Sequence, residues 1–428
     1  MAKKNRISVV SMGCPKNVVD SEKLLAQLKG NAFEITDDID RADTVVINTC
    51  GFIQDAKQES LDAIVEAIEK KKQGKLKKIV VMGCLAERYK QELVRELPEV
   101  DAFFGTSRME SVLTELGAHL KKELLGERFL TTPSHFAYLK ISEGCDNPCS
   151  FCAIPLMRGR HRSVPVKHLV QDAERLAGRG VKELIVIAQD STSYGLDLYE
   201  KRSLSKLLVE LHAIDGIEWI RLMYAYPAKF PLDLIETYRQ YPKLCRSIDM
   251  PVQHIADSVL KSMRRGISGQ ATKKILLKLK KEIPELALRT TFIVGYPNET
   301  DDDFRELLDF TEEMQFHRLG VFPYSMEEGT GAYALGDPVP RSVKEERAAR
   351  IMELQREISR KQNEALIGRK IRVLIDRQEE EYFIGRTQWD APEIDQEVII
   401  HTGKKPAVGT FETVAVNGAA DYDLEAVL

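Results

Sequence analysis

The chain has 428 residues, of which 43% are hydrophobic and 30% charged, and its net charge is −4. This length is too great for one ordinary core, so two or three domains are expected. No run approaches the roughly eighteen apolar residues of a membrane-spanning helix, and the acidic balance disfavours strong nucleic-acid binding. The N-terminal stretch predicts a first strand rather than a signal peptide, so we expect a cytoplasmic protein without membrane contact.

Residues 1–122 alternate short β-rich runs with amphipathic stretches. The runs are RISVVSMG, DTVVINT, KKIVVMG and VDAFFG, and helical patterns such as DSEKLLAQLKG separate them. This alternation predicts an α/β domain with a parallel sheet covered by helices. The pattern breaks at TTPS, which places a linker at 121–135.

Residues 131–362 carry six further apolar runs with helical segments between them. The runs are HFAYLKIS, KELIVIAQ, EWIRLMYA, RSIDMPVQ, LRTTFIVG and RLGVFPYS. Six βα units predict an open (β/α)6 partial barrel, an incomplete relative of the eightfold barrel. After a charged helix at roughly 341–366, residues 364–428 turn to short strands, which predict a small antiparallel β-barrel.

Three of the seven cysteines, Cys145, Cys149 and Cys152, lie within eight positions. An odd number of cysteines in a reducing compartment favours metal or redox use over disulfides. The spacing differs from that of paired zinc ligands, and no second pair follows within the next fifty residues. His161 could complete a zinc site, but it lies among the arginines of RGRHRS, which would repel the cation.

Three thiolates this close together suit an iron–sulfur cluster whose fourth iron stays open. Here the chain resembles the radical S-adenosylmethionine superfamily, in which this motif holds a [4Fe–4S] cluster and the open iron binds S-adenosylmethionine. The resemblance implies cofactor contacts by four residues: Phe151, Ile293, Gly295 and Glu299. Plain core packing for Phe151 and an ordinary turn at GYP are the alternatives. Gln189 and Asp190 end the second strand, where barrel active sites lie, and we expect Gln189 to help bind the cofactor.

Three further cysteines each follow a predicted parallel strand of the first domain: Cys14, Cys50 and Cys84. Carboxyl ends of parallel strands lie along one edge of a sheet, so these thiols can converge although they are far apart in sequence. A single cysteine at a strand end is often only a core residue, but three together predict a second cluster. Cys245 is left over as a core thiol.

This layout, with GCPKNVVDSE, NTCGFI, GCLAERY, PVQH and PYSMEEGT, resembles the methylthiotransferases over nearly the whole chain. The resemblance implies two [4Fe–4S] clusters, S-adenosylmethionine, a C-terminal TRAM domain and a reducing electron donor such as a flavodoxin. It also implies a reaction in two parts. Sulfur and a methyl group are assembled at the N-terminal cluster, and a 5′-deoxyadenosyl radical from the second cluster abstracts hydrogen from the target carbon.

Two branches of this family act on different substrates. GCPKN, NTCGFI and PLMRGRHRS resemble the branch that modifies the β-carbon of an aspartate in ribosomal protein S-twelve, free or in the small subunit. The branch that modifies an adenosine of transfer RNA more often reads GCQMN. A non-enzymatic iron–sulfur or zinc RNA-binding module is a third reading.

Charge favours the protein substrate. Residues 364–428 hold thirteen Asp and Glu against seven Lys and Arg, which would repel RNA and complement a basic protein. We therefore expect Asp390, Glu393 and Asp395 of WDAPEID to contact the substrate. An acidic surface that serves only solubility is the alternative.

Overall fold

This computed structural model describes residues 5–428, and its first domain is a five-stranded parallel sheet between helices. The strands are β1 (Arg6–Ser11), β2 (Glu34–Ile35), β3 (Thr44–Thr49), β4 (Lys78–Gly83) and β5 (Ala102–Phe104). The helices are α1 (Pro15–Gly30), α2 (Gln54–Lys72), α3 (Cys84–Glu96) and α4 (Met109–Glu115). The strand order is β2-β1-β3-β4-β5. The sequence prediction missed β2, because a two-residue edge strand is too short to show periodicity.

The central strands β3 and β4 are almost fully buried, because helices cover both faces of the sheet. Successive side chains point to opposite faces: Val45 and Ile47 pack on the side of α2 and α3, and Val46 packs on the side of α1 and α4. Three neighbouring strands, β1, β3 and β4, therefore end side by side at one edge of the sheet. Each of them is followed by a cysteine.

The second domain contains a six-stranded parallel sheet. Its strands and one small hairpin are β6 (Phe136–Lys140), β7 (Ser142–Glu143), β8 (Arg162–Ser163), β9 (Glu183–Ile187), β10 (Trp219–Leu222), β11 (Leu244–Asp249), β12 (Ala287–Val294) and β13 (Arg318–Pro323). The order is β6-β9-β10-β11-β12-β13, with β7 paired to β8. This confirms the open partial barrel, because β6 and β13 remain as unjoined edges.

Nine helices accompany this sheet in the described residues. They are α5 (Ile154–Arg158), α6 (Val166–Gly178), α7 (Leu196–Tyr199), α8 (Leu204–His212), α9 (Asp233–Gln240), α10 (Asp257–Ser262), α11 (Gly269–Glu282), α12 (Asp301–Met314) and α13 (Arg341–Glu364). The largest hydrophobic core lies between these helices and one face of the sheet. Among residues 5–428, no helix combines the length and apolar character needed to cross a membrane.

The chain ends in a closed five-stranded barrel. Its strands are β14 (Lys370–Gln378), β15 (Phe383–Thr387), β16 (Val398–His401), β17 (Phe411–Ala419) and β18 (Leu424–Val427). The prediction of an antiparallel barrel is wrong for one pair, since β16 and β18 run parallel. The reason is that β17 pairs with β14, so that β18, returning antiparallel to β17, enters the barrel beside β16.

The barrel loop between β15 and β16, residues 388–397, inserts into the second domain. Ala391 packs against Tyr138, Ile185 and Met223, on the sheet face that the domain's own helices leave uncovered. The loop of the C-terminal barrel thus covers the open face of the sheet in the second domain.

The expectation that Asp390 and Asp395 form an exposed contact for the substrate is wrong. Arg318 Nε donates to Asp390 Oδ1 at 2.7 Å, and Arg289 Nε donates to Asp395 Oδ1 at 3.1 Å. The carboxylate side chains are 0% and 4% exposed. The physical reason is that both arginines extend from strands of the sheet and need a counter-charge where water is excluded. Only Glu393 of the three predicted residues is exposed.

Candidate active site

A cavity of about 340 Å³ lies between the carboxyl edge of the first sheet and the second domain. Both predicted sets of cysteines line it: Cys14, Cys50, Cys84, Cys145, Cys149 and Cys152. All six are free thiols. The sequence assigned the two sets to separate domains, and the structure brings them to one cavity.

The first set depends on glycines that let the strand ends approach each other. Gly13 has a φ of 82°, and a Cβ there would lie 2.6 Å from Cβ and 2.8 Å from Sγ of Cys50. Gly83 has a φ of 104°, and a Cβ there would lie 2.5 Å from Oδ1 of Asn48. Because no side chain fits at either position, these glycines allow the thiols to converge.

The second set lies on the loop that joins β7 to α5. Arg265 Nη1 donates to Sγ of Cys149 at 3.3 Å, and the hydroxyl of Tyr226 lies 3.6 Å from the same sulfur. The Arg265 guanidinium also stacks over the Tyr226 ring, 4.2 Å from its centroid. A buried arginine that donates to a cysteine sulfur is the kind of surrounding contact that a metal-bound sulfur receives.

Burial governs the acidity of the thiols. It raises the pKa of Cys84 and of Cys152 to about 12 and that of Cys145 to about 11. Without a metal these sulfurs are therefore protonated at neutral pH and are poor nucleophiles. A bound metal centre displaces such protons, which fits ligands better than catalytic thiols.

Arg158, at the end of α5, connects the two domains beside the cavity. Its Nη1 donates to Asp20 at 2.7 Å and to Glu143 at 3.2 Å, and its Nη2 donates to Asn17. Lys140 pairs with the same two carboxylates. The Arg158 side chain is only 2% exposed, so this buried network fixes α1, and with it the first cysteine set, against the second domain.

Lys16, in the first turn of α1, places an ammonium group at the cavity wall. Its Nζ lies 3.0 Å from the centroid of the Tyr224 ring, and burial lowers the pKa of Lys16 to about 8. Tyr224 itself has a φ of 61°, and its backbone N donates to Asp249 at 2.9 Å. Within the described residues, no Asp or Glu lines this cavity.

Three stretches of the chain match known families. Residues 6–105 match the uncharacterised protein family UPF0004, residues 139–311 the Radical SAM superfamily and residues 367–428 the TRAM domain. The ribosomal protein uS12 methylthiotransferase RimO of Christiangramia forsetii is 54% identical and covers 99% of this chain and 94% of its own. The chain belongs to the RimO family of methylthiotransferases. RimO of Aquifex aeolicus is 49% identical, with 98% of this chain and 96% of its own covered.

Solved structures agree with the fold of this RimO-family chain. The radical S-adenosylmethionine methyltransferase TsrM from Kitasatospora setae has a TM-score of 0.56 at 14% identity, with 77% of each chain covered. As a member of the Radical SAM superfamily, the chain uses S-adenosylmethionine and a [4Fe–4S] cluster. The RimO relatives favour the ribosomal branch over the branch that modifies transfer RNA.

Two of the five residues predicted to bind the cofactor, Phe151 and Gln189, line the cavity. Gln189 Nε2 donates to Glu143 at 2.7 Å, which ties it to the network of Arg158. The structure does not bring the other three to the lining: Ile293, Gly295 and Glu299. Of these three, Ile293 packs together with Phe151 against a buried cluster that contains Tyr296 and Tyr324.

The TFIVGYPNET motif serves packing between β12 and α13 in this RimO-family fold. Gly295 has a φ of 69°, and a Cβ there would lie 2.2 Å from Cγ of Lys344. Glu299 is buried, accepts from the backbone N of Tyr296 at 3.0 Å and pairs with Arg347 at 3.3 Å. These contacts give the glycine and the carboxylate a packing role, and their part in cofactor binding stays a prediction.

The remaining predicted residues lie outside the cavity. His161 Nε2 is 3.0 Å from Oγ of Ser163, and both His161 and Asp190 line a neighbouring depression. In residues 5–428, no group of three or more Cys, His, Asp or Glu side chains is placed to hold a single metal ion. Cys245 is a buried thiol packed beside Trp219.

Sequence reasoning missed the cations of the cavity: Lys16, Arg158 and Arg265. Lys16 lies in a stretch that was used only for the family resemblance, and Arg158 was considered only as one of the charges near His161. Arg265, in SMRRG, carries no signal of its own, because its contact with Cys149 spans 116 positions of the chain.

Proposed function

We propose that this chain adds a methylthio group to the β-carbon of an aspartate side chain of ribosomal protein uS12, with two [4Fe–4S] clusters and S-adenosylmethionine. The observation that carries the proposal is the single cavity lined by both cysteine sets. Curated relatives that are RimO enzymes over nearly their full length support the choice of uS12.

The donor set suits two clusters with three protein ligands each. Free thiols from three adjacent strand ends or from one tight loop match the thiolate ligands of iron–sulfur clusters, and three ligands leave one iron of each cluster open. Cys14, Cys50 and Cys84 would hold the N-terminal cluster. Cys145, Cys149 and Cys152 would hold the radical cluster. When bound, the clusters supply the electron for cofactor cleavage and an iron site for sulfur.

The chain's own residues shape and shield this chemistry. Phe151, Met157 and Tyr226 give the lining a largely apolar character, which excludes water from reactive species. Arg265 compensates negative charge at the Cys149 sulfur. The network around Arg158 holds the two cysteine sets at a constant separation, because its members are buried and bonded to both domains.

Only part of the acidic charge of the C-terminal barrel is available to attract a substrate. Asp390 and Asp395 attach it to the second domain, so they are unavailable to a partner. Exposed acids such as Glu380, Glu381 and Glu393 remain to attract a basic ribosomal protein. We include in the proposal that uS12 is modified either free or in the small subunit, and that a flavodoxin-type donor supplies the electron.

The proposal is tested with anaerobically reconstituted protein and purified uS12. Wild type should bind about eight irons per chain, form 5′-deoxyadenosine and transfer methylthio groups to uS12, measured by mass spectrometry. Cys149→Ala should lose cofactor cleavage, and Cys50→Ala should keep cleavage but yield no modified uS12. Cys245→Ala is the matched control, because this thiol lies in a core away from the cavity.

Modified uS12 from the Cys50→Ala protein, or cofactor cleavage by Cys149→Ala, would contradict the two-cluster assignment. If transfer RNA is modified and uS12 is not, the chain belongs to the branch of the family that modifies transfer RNA. A protein that binds zinc and no iron would be the non-enzymatic module.

A further inference from the structure

One cation of the cavity has no partner within the protein. Lys16 is 7% exposed, and its ammonium makes no hydrogen bond or ion pair with any residue of the described range 5–428. Its Nζ lies against the Tyr224 ring, 3.0 Å from the centroid. A buried ammonium without a paired carboxylate is costly, so an anionic ligand group that supplied the missing charge would be stabilised there.

The other cations of the cavity are already committed. Arg158 is bonded to Asp20, Glu143 and Asn17. Arg265 donates to Cys149 at 3.3 Å and to the carbonyl of Pro251 at 2.6 Å. Lys16 is therefore the one lining cation in the described residues that is free to bind an anion.

Asp249, which bonds to the backbone of Tyr224 beside Lys16, is also committed. Asp249 accepts from Arg289 Nη1 at 3.0 Å and from the backbone N of Tyr224 at 2.9 Å, so its charge is balanced. Asp249 is 2% exposed and does not line the cavity. The hydrogen bond to Asp249 thus fixes the backbone of Tyr224 beside the ammonium, and Asp249 has Arg289 as its own partner.

We propose that Lys16 binds the side-chain carboxylate of the target aspartate and so selects an acidic residue of uS12 as the substrate. This inference rests on the proposed function, which supplies an aspartate as target. A carboxylate that enters this mostly apolar cavity, which no acid lines, is stabilised by a cation, and Lys16 is the available one. Lys16 also comes from the first turn after Cys14, so the bound carboxylate would lie beside the N-terminal cysteine set.

The experiment compares wild type, Lys16→Met and Lys16→Arg, each anaerobically reconstituted, for binding to two forms of uS12. One form carries the natural target aspartate, located by mass spectrometry, and the other carries asparagine there. Wild type should prefer the aspartate form by about tenfold or more, since a buried charge pair contributes at least that much. Lys16→Met should bind both forms equally, and Lys16→Arg should retain a preference. Lys29→Met, on the exposed end of the same helix, is the matched control and should behave as wild type.

Iron content and the reduction potential of the N-terminal cluster are measured on the same samples. A Lys16→Met protein that keeps both its iron and its preference for aspartate would overturn the proposal. A shifted potential with unchanged preference would also overturn it and would show that Lys16 balances the cluster ligand Cys14. Wild type that neither binds nor modifies uS12 would instead refute the proposed function, which separates the two failures.

Discussion

Arg318 on β13 and Asp390 in the barrel loop form a buried ion pair between two domains, with 2.7 Å between Nε and Oδ1. Arg318 also donates to Gln396 of the same loop. A second pair, Arg289 with Asp395, lies in the same loop. These ion pairs attach the barrel firmly to the sheet face that the helices of the second domain leave uncovered.

Replacing Asp390 by Ala should destabilise the protein by about 3 kcal/mol, because Arg318 is left buried without its counter-charge. Asp390→Asn should cost less, since its amide oxygen can still accept from Arg318 and burial, which raises the pKa of Asp390, penalises the carboxylate. Glu393→Ala, at the exposed residue of the loop, is the control and should change stability by less than about 0.5 kcal/mol. Urea unfolding followed by circular dichroism measures the three variants. Equal effects of Asp390→Ala and Glu393→Ala would contradict the buried role.

Replacing Gly13 by Ala should prevent assembly of the N-terminal cluster, because the new Cβ would lie 2.8 Å from Sγ of Cys50. Iron should fall from about eight to about four per chain. Gly117→Ala is the matched control: Gly117 has a φ of 75°, similar to the 82° of Gly13, but no atom lies within 4 Å of its Cβ position. Loss of iron in both variants would show that backbone strain, and not the contact with Cys50, is responsible.

Replacing Arg265 by Met should lower the reduction potential of the radical cluster. A donor to a ligating sulfur stabilises the more negative, reduced form, so its removal favours the oxidised form. The measurement is a redox titration followed by electron paramagnetic resonance in the Cys50→Ala background, where one cluster remains. Arg264→Met, at the exposed neighbouring position, should leave the potential unchanged. Identical potentials in the two variants would rule out the hydrogen bond to Cys149 as a determinant.

The stability of the protein should decrease as the pH is lowered, because of His317. Burial, with the charges of Arg318 and Lys280, lowers the pKa of His317 from 6.5 to about 4. The unfolded chain therefore binds a proton in this range that the folded protein does not, and the free energy of unfolding decreases as the pH drops from 6.5 towards 4. The loss from this residue should reach roughly 3 kcal/mol.

His317→Gln should remove that part of the pH dependence, measured as the shift of the urea midpoint between pH 7 and pH 5. His168→Gln, at an exposed histidine, is the control and should keep the wild-type dependence. An unchanged slope in His317→Gln would show that other groups account for the acid sensitivity.

The amino-acid sequence by itself determined the βα alternation, the six strands of the second sheet and the two sets of three cysteines. These features are local: strand periodicity, glycine turns and the spacing of Cys145, Cys149 and Cys152 are written in neighbouring residues. The convergence of Cys14, Cys50 and Cys84 could also be inferred, because carboxyl ends of adjacent parallel strands share an edge.

Only the tertiary structure decided which charged side chains lie at the cavity and which form ion pairs between the domains. The acids of WDAPEID look like a surface in the sequence, yet Asp390 and Asp395 are buried by arginines more than seventy positions away. Lys16, a single letter of GCPKN, becomes a candidate ligand group only because Tyr224 and the cavity lie against α1. Such contacts depend on how the three domains pack, and long-range pairing of charges leaves no periodic trace in the sequence from which it could be read.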